Sequence, residues 1–169
     1  MAATTAYRGL DKLKPEMRVR VELFLKAVAN AGLKILITET WRSQERQEYL
    51  YASGRTRPGN VVTWTMYSKH LIGEAVDIAF LTDDGKVTYS GNWEAVGRLG
   101  ELQGLVWGGR WPTPDRPHFE FNHQWQAQHW GAQAEQELLS AGAITQKKNL
   151  DQPPSRAELY VILSHFHKL

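Results

Sequence analysis

The segment from Ala75 to Phe80 is the feature of this 169-residue sequence that most restricts its fold. Large apolar residues alternate there with small residues and one acid, which is the two-residue period of a β-strand. The large residues are Val76, Ile78 and Phe80, and the other face carries Ala75, Asp77 and Ala79. The pattern therefore predicts a strand with room around the Asp77 carboxylate.

Patterns on both sides of this segment predict helices and further strands. Pro15 suits a first helical position, and apolar residues recur at helical spacing until Gly32, so we expect a helix over 15–30. Lys34–Thr40 is rich in Ile and Thr, which favours a strand. Further predicted elements are a helix capped by Ser43 and running through Tyr51, a helix over 93–103, and strands over 105–107 and 118–121. Together they predict an α+β fold in which helices flank a small antiparallel sheet.

The residue pattern changes after about Gln124 and becomes mainly helical. A helical pattern runs through Ser140, a loop with two adjacent prolines follows, and a last helical pattern begins at Ser155. We therefore expect a main domain over 1–126 and a short C-terminal helical appendage over 127–169.

Composition excludes several classes of protein. The sequence has no cysteine, so disulfide frameworks and thiol nucleophiles are excluded, and any metal must be bound by His, Asp or Glu. A formal charge of +2 is too small to indicate a nucleic-acid partner. The longest apolar runs fall far short of the roughly 20 residues that a membrane span needs. The N-terminus lacks the basic and apolar regions of a secretory signal, so we expect synthesis in the cytoplasm without a signal peptide.

Two histidines and two aspartates are placed where they could form a metal site. His70 precedes the strand that carries Asp77, while Asp115 and His118 lie at the mouth of another predicted strand. If these strands are neighbours, two imidazoles and one carboxylate converge, which is a common catalytic zinc arrangement. Asp115 would then lie one short loop away from the open coordination position. Spacing alone favours the alternative that these residues are ordinary polar groups at strand ends, caps and turns.

Three ordered motifs resemble those of a known peptidase family. Residues 68–77, Ser-Lys-His-Leu-Ile-Gly-Glu-Ala-Val-Asp, are similar to the Ser-x-His-x-x-Gly-x-Ala-x-Asp signature of the M15 peptidases. That family includes D-alanyl-D-alanine carboxypeptidases and dipeptidases, and the L-alanyl-D-glutamate endopeptidases of phage lysins. Two further stretches resemble the endopeptidase branch: Trp41-Arg42-Ser43 together with 50–59, and 107–111 together with Asp115-Arg116-Pro117-His118-Phe119. The resemblance covers about residues 33–123.

This resemblance implies specific roles in a zinc site. It implies that His70, Asp77 and His118 bind zinc and that Asp115 is the catalytic base. Zinc would polarise the scissile carbonyl and lower the pKa of its bound water, and Asp115 would take the water's proton and pass it to the leaving amine. An Asp is normally ionised at neutral pH, so it starts in the protonation state that a base needs.

Three further residues are predicted to bind or orient substrate. Arg42 has a planar fork that suits a stem-peptide carboxylate or the oxyanion formed during attack. Ser68 is predicted to orient His70 or the substrate, with a simple turn serine as the alternative. Trp107 is predicted to line the substrate-binding cleft. Core packing is the alternative, because the sequence contains seven tryptophans.

The resemblance further implies a zinc-dependent phage or prophage endolysin that hydrolyses the L-Ala–D-Glu bond of bacterial peptidoglycan. We expect a monomer that inserts into no membrane, binds no nucleic acid and acts on the cell wall after release. One alternative is a D-alanyl-D-alanine carboxypeptidase. Another is a catalytically inactive wall-binding module, although all three predicted ligands and the predicted base are present.

The appendage carries a weak resemblance of its own. Ala-Gly-Ala-Ile-Thr at 141–145 and Ser-Arg-Ala-Glu-Leu at 155–159 faintly resemble an S-layer-homology unit. Such units bind cell-wall polymers, usually in sets of three. A plain packing appendage is the alternative to wall binding, and a single divergent copy favours it.

Overall fold

The structure of the chain, a computed structural model, describes residues 3–124. Met1–Phe121 forms one compact unit. The appendage expected over 127–169, the helical patterns within it and the domain boundary at 126 lie outside the described residues. Among the described residues, no helix is both long enough and apolar enough to cross a bilayer.

Five strands form one antiparallel sheet within residues 3–124. In chain order they are β1 (Ile35–Glu39), β2 (Ala75–Leu81), β3 (Val87–Thr88), β4 (Leu105–Trp107) and β5 (His118–Phe121). Their spatial order is β1-β2-β5-β4, and β3 pairs with the far end of β2. The predicted α+β fold with a small antiparallel sheet is confirmed. Strand β3 was not predicted, because two residues are too short to show a period.

Three α-helices flank this sheet in the described part of the chain: α1 (Pro15–Asn30), α2 (Gln44–Ala52) and α3 (Trp93–Leu102). Side-chain caps define where two of them begin. The Ser43 hydroxyl accepts a hydrogen bond from the Arg46 amide, and the Asn92 side chain accepts one from the Ala95 amide. Helix α1 begins instead at Pro15, whose missing N–H would have no partner there.

The core lies between the sheet and helices α1 and α3. Helix α1 buries a stripe at helical spacing, and the large residues of β2 and β5 meet it. Phe24 and Phe119 make the central aromatic contact, with ring centroids 4.8 Å apart. The buried stripe of α1 consists of Met17, Val21, Phe24 and Val28. This packing fixes β2 and β5 side by side, and their opposite face carries the polar residues of the site.

Candidate metal centre

The pairing of β2 with β5 places Asp77 directly beside His118. The two strands are antiparallel, and Asp77 and His118 are register partners. Side chains of paired residues point to the same face of a sheet. His118 Nδ1 accordingly lies 2.8 Å from Asp77 Oδ1.

His70 reaches the same point from a short 3-10 helix, Lys69–Ile72. The Ser68 hydroxyl caps this helix by accepting a hydrogen bond from the His70 amide at 3.3 Å. Gly73 ends it with a φ of 69°, and a Cβ there would lie 2.5 Å from the Lys12 carbonyl oxygen. Glycine has no Cβ, so it alone can adopt this left-handed backbone conformation with the Lys12 carbonyl so close. The serine and the glycine of the motif therefore position His70.

The hydrogen bonds of His70 determine which of its nitrogens is free. Nδ1 lies 2.5 Å from the Thr40 carbonyl oxygen, which is only an acceptor, so Nδ1 carries the proton in the neutral ring. Nε2 then presents a lone pair, lies 3.1 Å from Asp77 Oδ2, and is buried without a hydrogen bond to any described residue. A lone pair that faces a carboxylate oxygen is unfavourable unless a proton or a cation lies between them.

The three side chains fit a divalent metal. His70, Asp77 and His118 each offer one ligand atom, and these atoms all lie within 4.8 Å of one another. Ligands about 2.0–2.1 Å from a tetrahedral zinc ion would be about 3.3 Å apart. The spacing of 3.1 Å between His70 Nε2 and Asp77 Oδ2 is close to that value. The donor set of two nitrogens and a carboxylate also suits zinc.

Neighbouring groups favour the ionised forms of Asp77 and His118. Burial opposes ionisation of Asp77, but the neighbouring His70 and His118 hold its pKa far below the usual value. Burial likewise lowers the pKa of His118, but hydrogen bonds with Asp77 and Glu120 outweigh it and raise that pKa to about 9. Asp77 is therefore ready to bind a cation at neutral pH, whereas His118 must first lose a proton.

Glu120 also belongs to the site. Glu120 Oε1 lies 3.1 Å from His118 Nε2, on the side of the ring away from Asp77. A carboxylate at the second nitrogen of a metal-binding imidazole fixes the tautomer and the ring orientation. The signal was present in the sequence, because residues two apart on a strand share a face.

Arg42 lies beside the cluster, held by a buried polar network. It is 7% exposed, and its Nη2 lies 2.6 Å from Glu39 Oε2 and 3.7 Å from Asp77 Oδ2. Its Nη1 donates a hydrogen bond of 2.8 Å to Gln47 Oε1. The roles of Glu39 and Gln47 were not predicted from the sequence, because nothing in their spacing distinguishes them from surface residues. The structure thus orients Arg42 towards Asp77, and its contact with substrate stays a prediction.

Asp115 lies on the loop before β5, near the three candidate ligands. Its amide donates to the Gly108 carbonyl at 2.9 Å, and its own carbonyl accepts from the His118 amide at 3.2 Å. Partial loss of hydration raises the pKa of the Asp115 carboxyl, although the residue as a whole is exposed. The charge of Asp77 raises it further, whereas His118 and other cationic neighbours oppose the rise. The structure therefore brings the candidate base within electrostatic reach of the metal ligands.

Trp107 does not line the cleft, contrary to the substrate-binding role predicted for it. The indole is 4% exposed and packs between the backbones of Gly97 and Gly109, where a Cβ would lie 2.2 Å from the ring. Its Nε1–H donates to the Arg116 carbonyl at 2.8 Å. The alternative of core packing is therefore what the structure shows. Through Arg116, Trp107 supports the loop that carries Asp115.

The chain is similar to known peptidase sequences. A family profile of the M15 peptidases, described as D-alanyl-D-alanine carboxypeptidase, matches residues 62–121. The peptidoglycan L-alanyl-D-glutamate endopeptidase CwlK of Bacillus subtilis is 36% identical over 121 residues, which cover 64% of this chain and 72% of that protein. The L-alanyl-D-glutamate peptidase of Listeria phage A118 is 30% identical over 123 residues, covering 69% of this chain but 40% of the phage protein.

Solved structures share the fold. The L-Ala D-Glu endopeptidase ChiX of Serratia marcescens matches with a TM-score of 0.56 at 22% identity, over 72% of this chain and 89% of that one. The LD-carboxypeptidase LdcB matches with a TM-score of 0.53 at 14% identity, over 70% of this chain and 63% of the other. At these identities the likeness supports the fold of the sheet and its flanking helices.

Proposed function

The chain belongs to the M15 family of peptidases, and we propose that it is a zinc-dependent phage or prophage endolysin that hydrolyses the L-Ala–D-Glu bond of peptidoglycan. The observation that carries the proposal is the convergence of His70, Asp77 and His118, with Asp115 within electrostatic reach of them. Both sequence relatives described above are named for this bond, which favours it over others in the stem peptide.

The proposed reaction uses the four polar residues in distinct roles. His70, Asp77 and His118 would hold zinc, which when bound polarises a carbonyl and makes a coordinated water more acidic. Asp115 would accept a proton from the attacking water at its carboxylate and pass it to the leaving amine of D-Glu. Its raised pKa moves it towards the operating pH, which helps a group that must both take and give up a proton.

Arg42 and Ser68 would act around this centre. The Arg42 guanidinium lies 3.7 Å from the Asp77 carboxylate, where it would help to stabilise the oxyanion formed during attack. Ser68 would act through His70, because its hydroxyl accepts a hydrogen bond from the backbone amide of that residue. We further propose that the protein works as a monomer and reaches the wall after release from the cytoplasm.

The position of the cut tests this proposal. Purified peptidoglycan is digested with the zinc-loaded protein, and the products are analysed by mass spectrometry. New N-terminal D-Glu is the expected result. Released D-Ala would instead indicate a D-alanyl-D-alanine carboxypeptidase, the activity in the description of the matching family profile. Binding to the wall with no released fragment would overturn both and leave a wall-binding module.

Zinc binding is expected to strengthen as the pH rises. His118 has a pKa raised to about 9 in the metal-free cluster, so it is protonated at neutral pH and must release that proton to bind zinc. The apparent Kd should therefore fall about tenfold per pH unit between about pH 6.5 and pH 8. Competition with a chelator of known pH dependence measures it. A Kd that does not change over this range would contradict the protonated state of His118.

Replacing Glu120 with Ala is expected to weaken zinc binding about 10–100-fold, the usual cost of losing a carboxylate behind a metal-bound histidine. Without the acceptor at Nε2, His118 can place its proton on Nδ1 towards Asp77, which removes the nitrogen that faces the cluster. The E120Q variant keeps an acceptor and should lose less. Chelator competition measures both, with E22A on helix α1 as the control. Equal affinity in E120A and E22A would assign Glu120 no role.

A further inference from the structure

Several exposed apolar side chains lie in the segment around His70, over residues 62–72. Val62, Trp64, Tyr67 and Ile72 belong to the large hydrophobic residues that the described chain leaves exposed. Trp64 is 78% exposed although it could bury more area than almost any other residue. Exposed apolar clusters next to polar sites commonly mark interaction surfaces.

The backbone on both sides of Trp64 is held in place by side chains from elsewhere. Arg55 Nη1 donates to the carbonyl of Thr63 at 3.2 Å, and Gln47 Nε2 donates to the carbonyl of Thr65 at 2.6 Å. Gln47 is itself fully buried. The backbone at Trp64 is therefore fixed while the ring remains in solvent, which is an arrangement expected of a pre-organised binding residue.

A cation supports one side of the indole. The Arg55 guanidinium lies 4.0 Å from the centre of the Tyr51 ring and 5.7 Å from the centre of the Trp64 ring. Both distances are within the range of cation–π attraction. Arg55 also donates a hydrogen bond of 2.6 Å to the Tyr51 carbonyl. Tyr51, Arg55 and Trp64 together form a surface that we call the Trp64 platform.

The Trp64 platform is connected to the candidate metal centre. Gln47, which holds the Thr65 carbonyl, also accepts a hydrogen bond from Arg42, whose Nη2 lies 3.7 Å from Asp77. Along the chain, Tyr67 directly precedes Ser68, the cap of the turn that carries His70. The Trp64 platform and the metal centre therefore lie on neighbouring parts of the fold, joined through Gln47 and Arg42.

We propose that the Trp64 platform binds the glycan strand of peptidoglycan beside the scissile bond, an inference that rests on the proposed function. L-Ala is joined directly to the lactyl group of the sugar, so an L-Ala–D-Glu bond is one residue, or about 3.3–3.6 Å of chain, from that group. The residues flanking the bond are small or acidic. The sugar rings are the groups of this substrate that offer a flat, partly apolar face to an exposed indole.

Glycan chains freed of their peptides by an amidase provide a direct binding test. The full chain, with its metal removed by a chelator, is titrated with these chains while the indole N–H signals are followed by NMR. The Trp64 signal is identified as the indole signal that is missing from the spectrum of W64A. In the wild type this signal should shift when glycan is added. W64A should bind the glycan at least tenfold more weakly. Y89A removes another exposed aromatic, at the far end of the sheet, and should bind like the wild type.

Several results would overturn the glycan assignment. One is an unmoved Trp64 signal, and another is equal binding by W64A and the wild type. A shift of the Trp64 signal with free stem peptide but not with glycan would assign the platform to the peptide. In hydrolysis, W64A should raise KM for intact wall, because an interaction that is equally strong in the ground state and the transition state affects KM alone. Cleavage of a free L-Ala–D-Glu peptide by W64A should stay within about twofold of the wild-type rate. Loss of the proposed function would appear separately, as a wild-type protein that cuts neither substrate.

Discussion

Replacing Asp115 with Asn lowers kcat for stem-peptide hydrolysis by about 10²–10⁴-fold, the usual contribution of a positioned general base. The amide has nearly the same shape as the carboxylate but cannot accept the proton of the attacking water. Zinc binding should survive, because Asp115 is outside the group of His70, Asp77 and His118 whose ligand atoms converge. The measurement pairs kcat on a defined peptide with the zinc content of the same sample.

A matched control separates this effect from general damage. Asp83 lies on an exposed turn, where its side chain is 98% exposed and pairs with Lys34, so D83N should keep wild-type activity. If D115N hydrolyses peptide at a rate close to that of D83N, Asp115 is not the base. Loss of zinc from D115N would instead place Asp115 among the groups that hold the metal.

The Asp77→Asn variant should lose zinc and, with it, activity. A structural zinc ion is bound by about 10–16 kcal/mol, so one of three protein ligands accounts for about 3–5 kcal/mol, or about 10²–10⁴-fold in Kd. Asn keeps the shape of the side chain but removes the charge that lies between the two imidazoles. Chelator competition gives the Kd.

Thermal unfolding provides a second measurement of the same variant. At a free zinc concentration of about 100 times its Kd, the wild type should gain about 2.7 kcal/mol of stability. D77N should gain far less at that concentration, while the D83N control should gain as much as the wild type. Equal stabilisation of D77N and the wild type by zinc would show that the ion binds elsewhere on the chain.

The parts of the fold that were predictable from the sequence are those with local signals. Pro15, Ser43 and Asn92 stand at the starts of the three described helices, and the alternation around Asp77 shows in the sequence as it does in the sheet. The neighbouring positions of β2 and β5 were a condition of the metal hypothesis. Their pairing, with Asp77 opposite His118, is what the structure adds.

Residues whose roles depend on distant contacts could not be predicted in the same way. Trp107 lies in a motif next to the site, but the absence of side chains at Gly97 and Gly109 draws its ring into the core. Glu39 and Gln47 look like surface residues until the fold brings Arg42 between them. Such roles depend on long-range packing, which leaves no periodic pattern in the local sequence.

The claim on which the rest depends is that His70, Asp77 and His118 bind a single zinc ion. A crystal structure of the zinc-loaded protein, with anomalous diffraction measured at the zinc edge, tests it directly. We predict one strong peak at about 2.0–2.2 Å from His70 Nε2, His118 Nδ1 and a carboxylate oxygen of Asp77. A zinc peak elsewhere in the molecule, with any one of these three side chains not coordinated, would contradict the account.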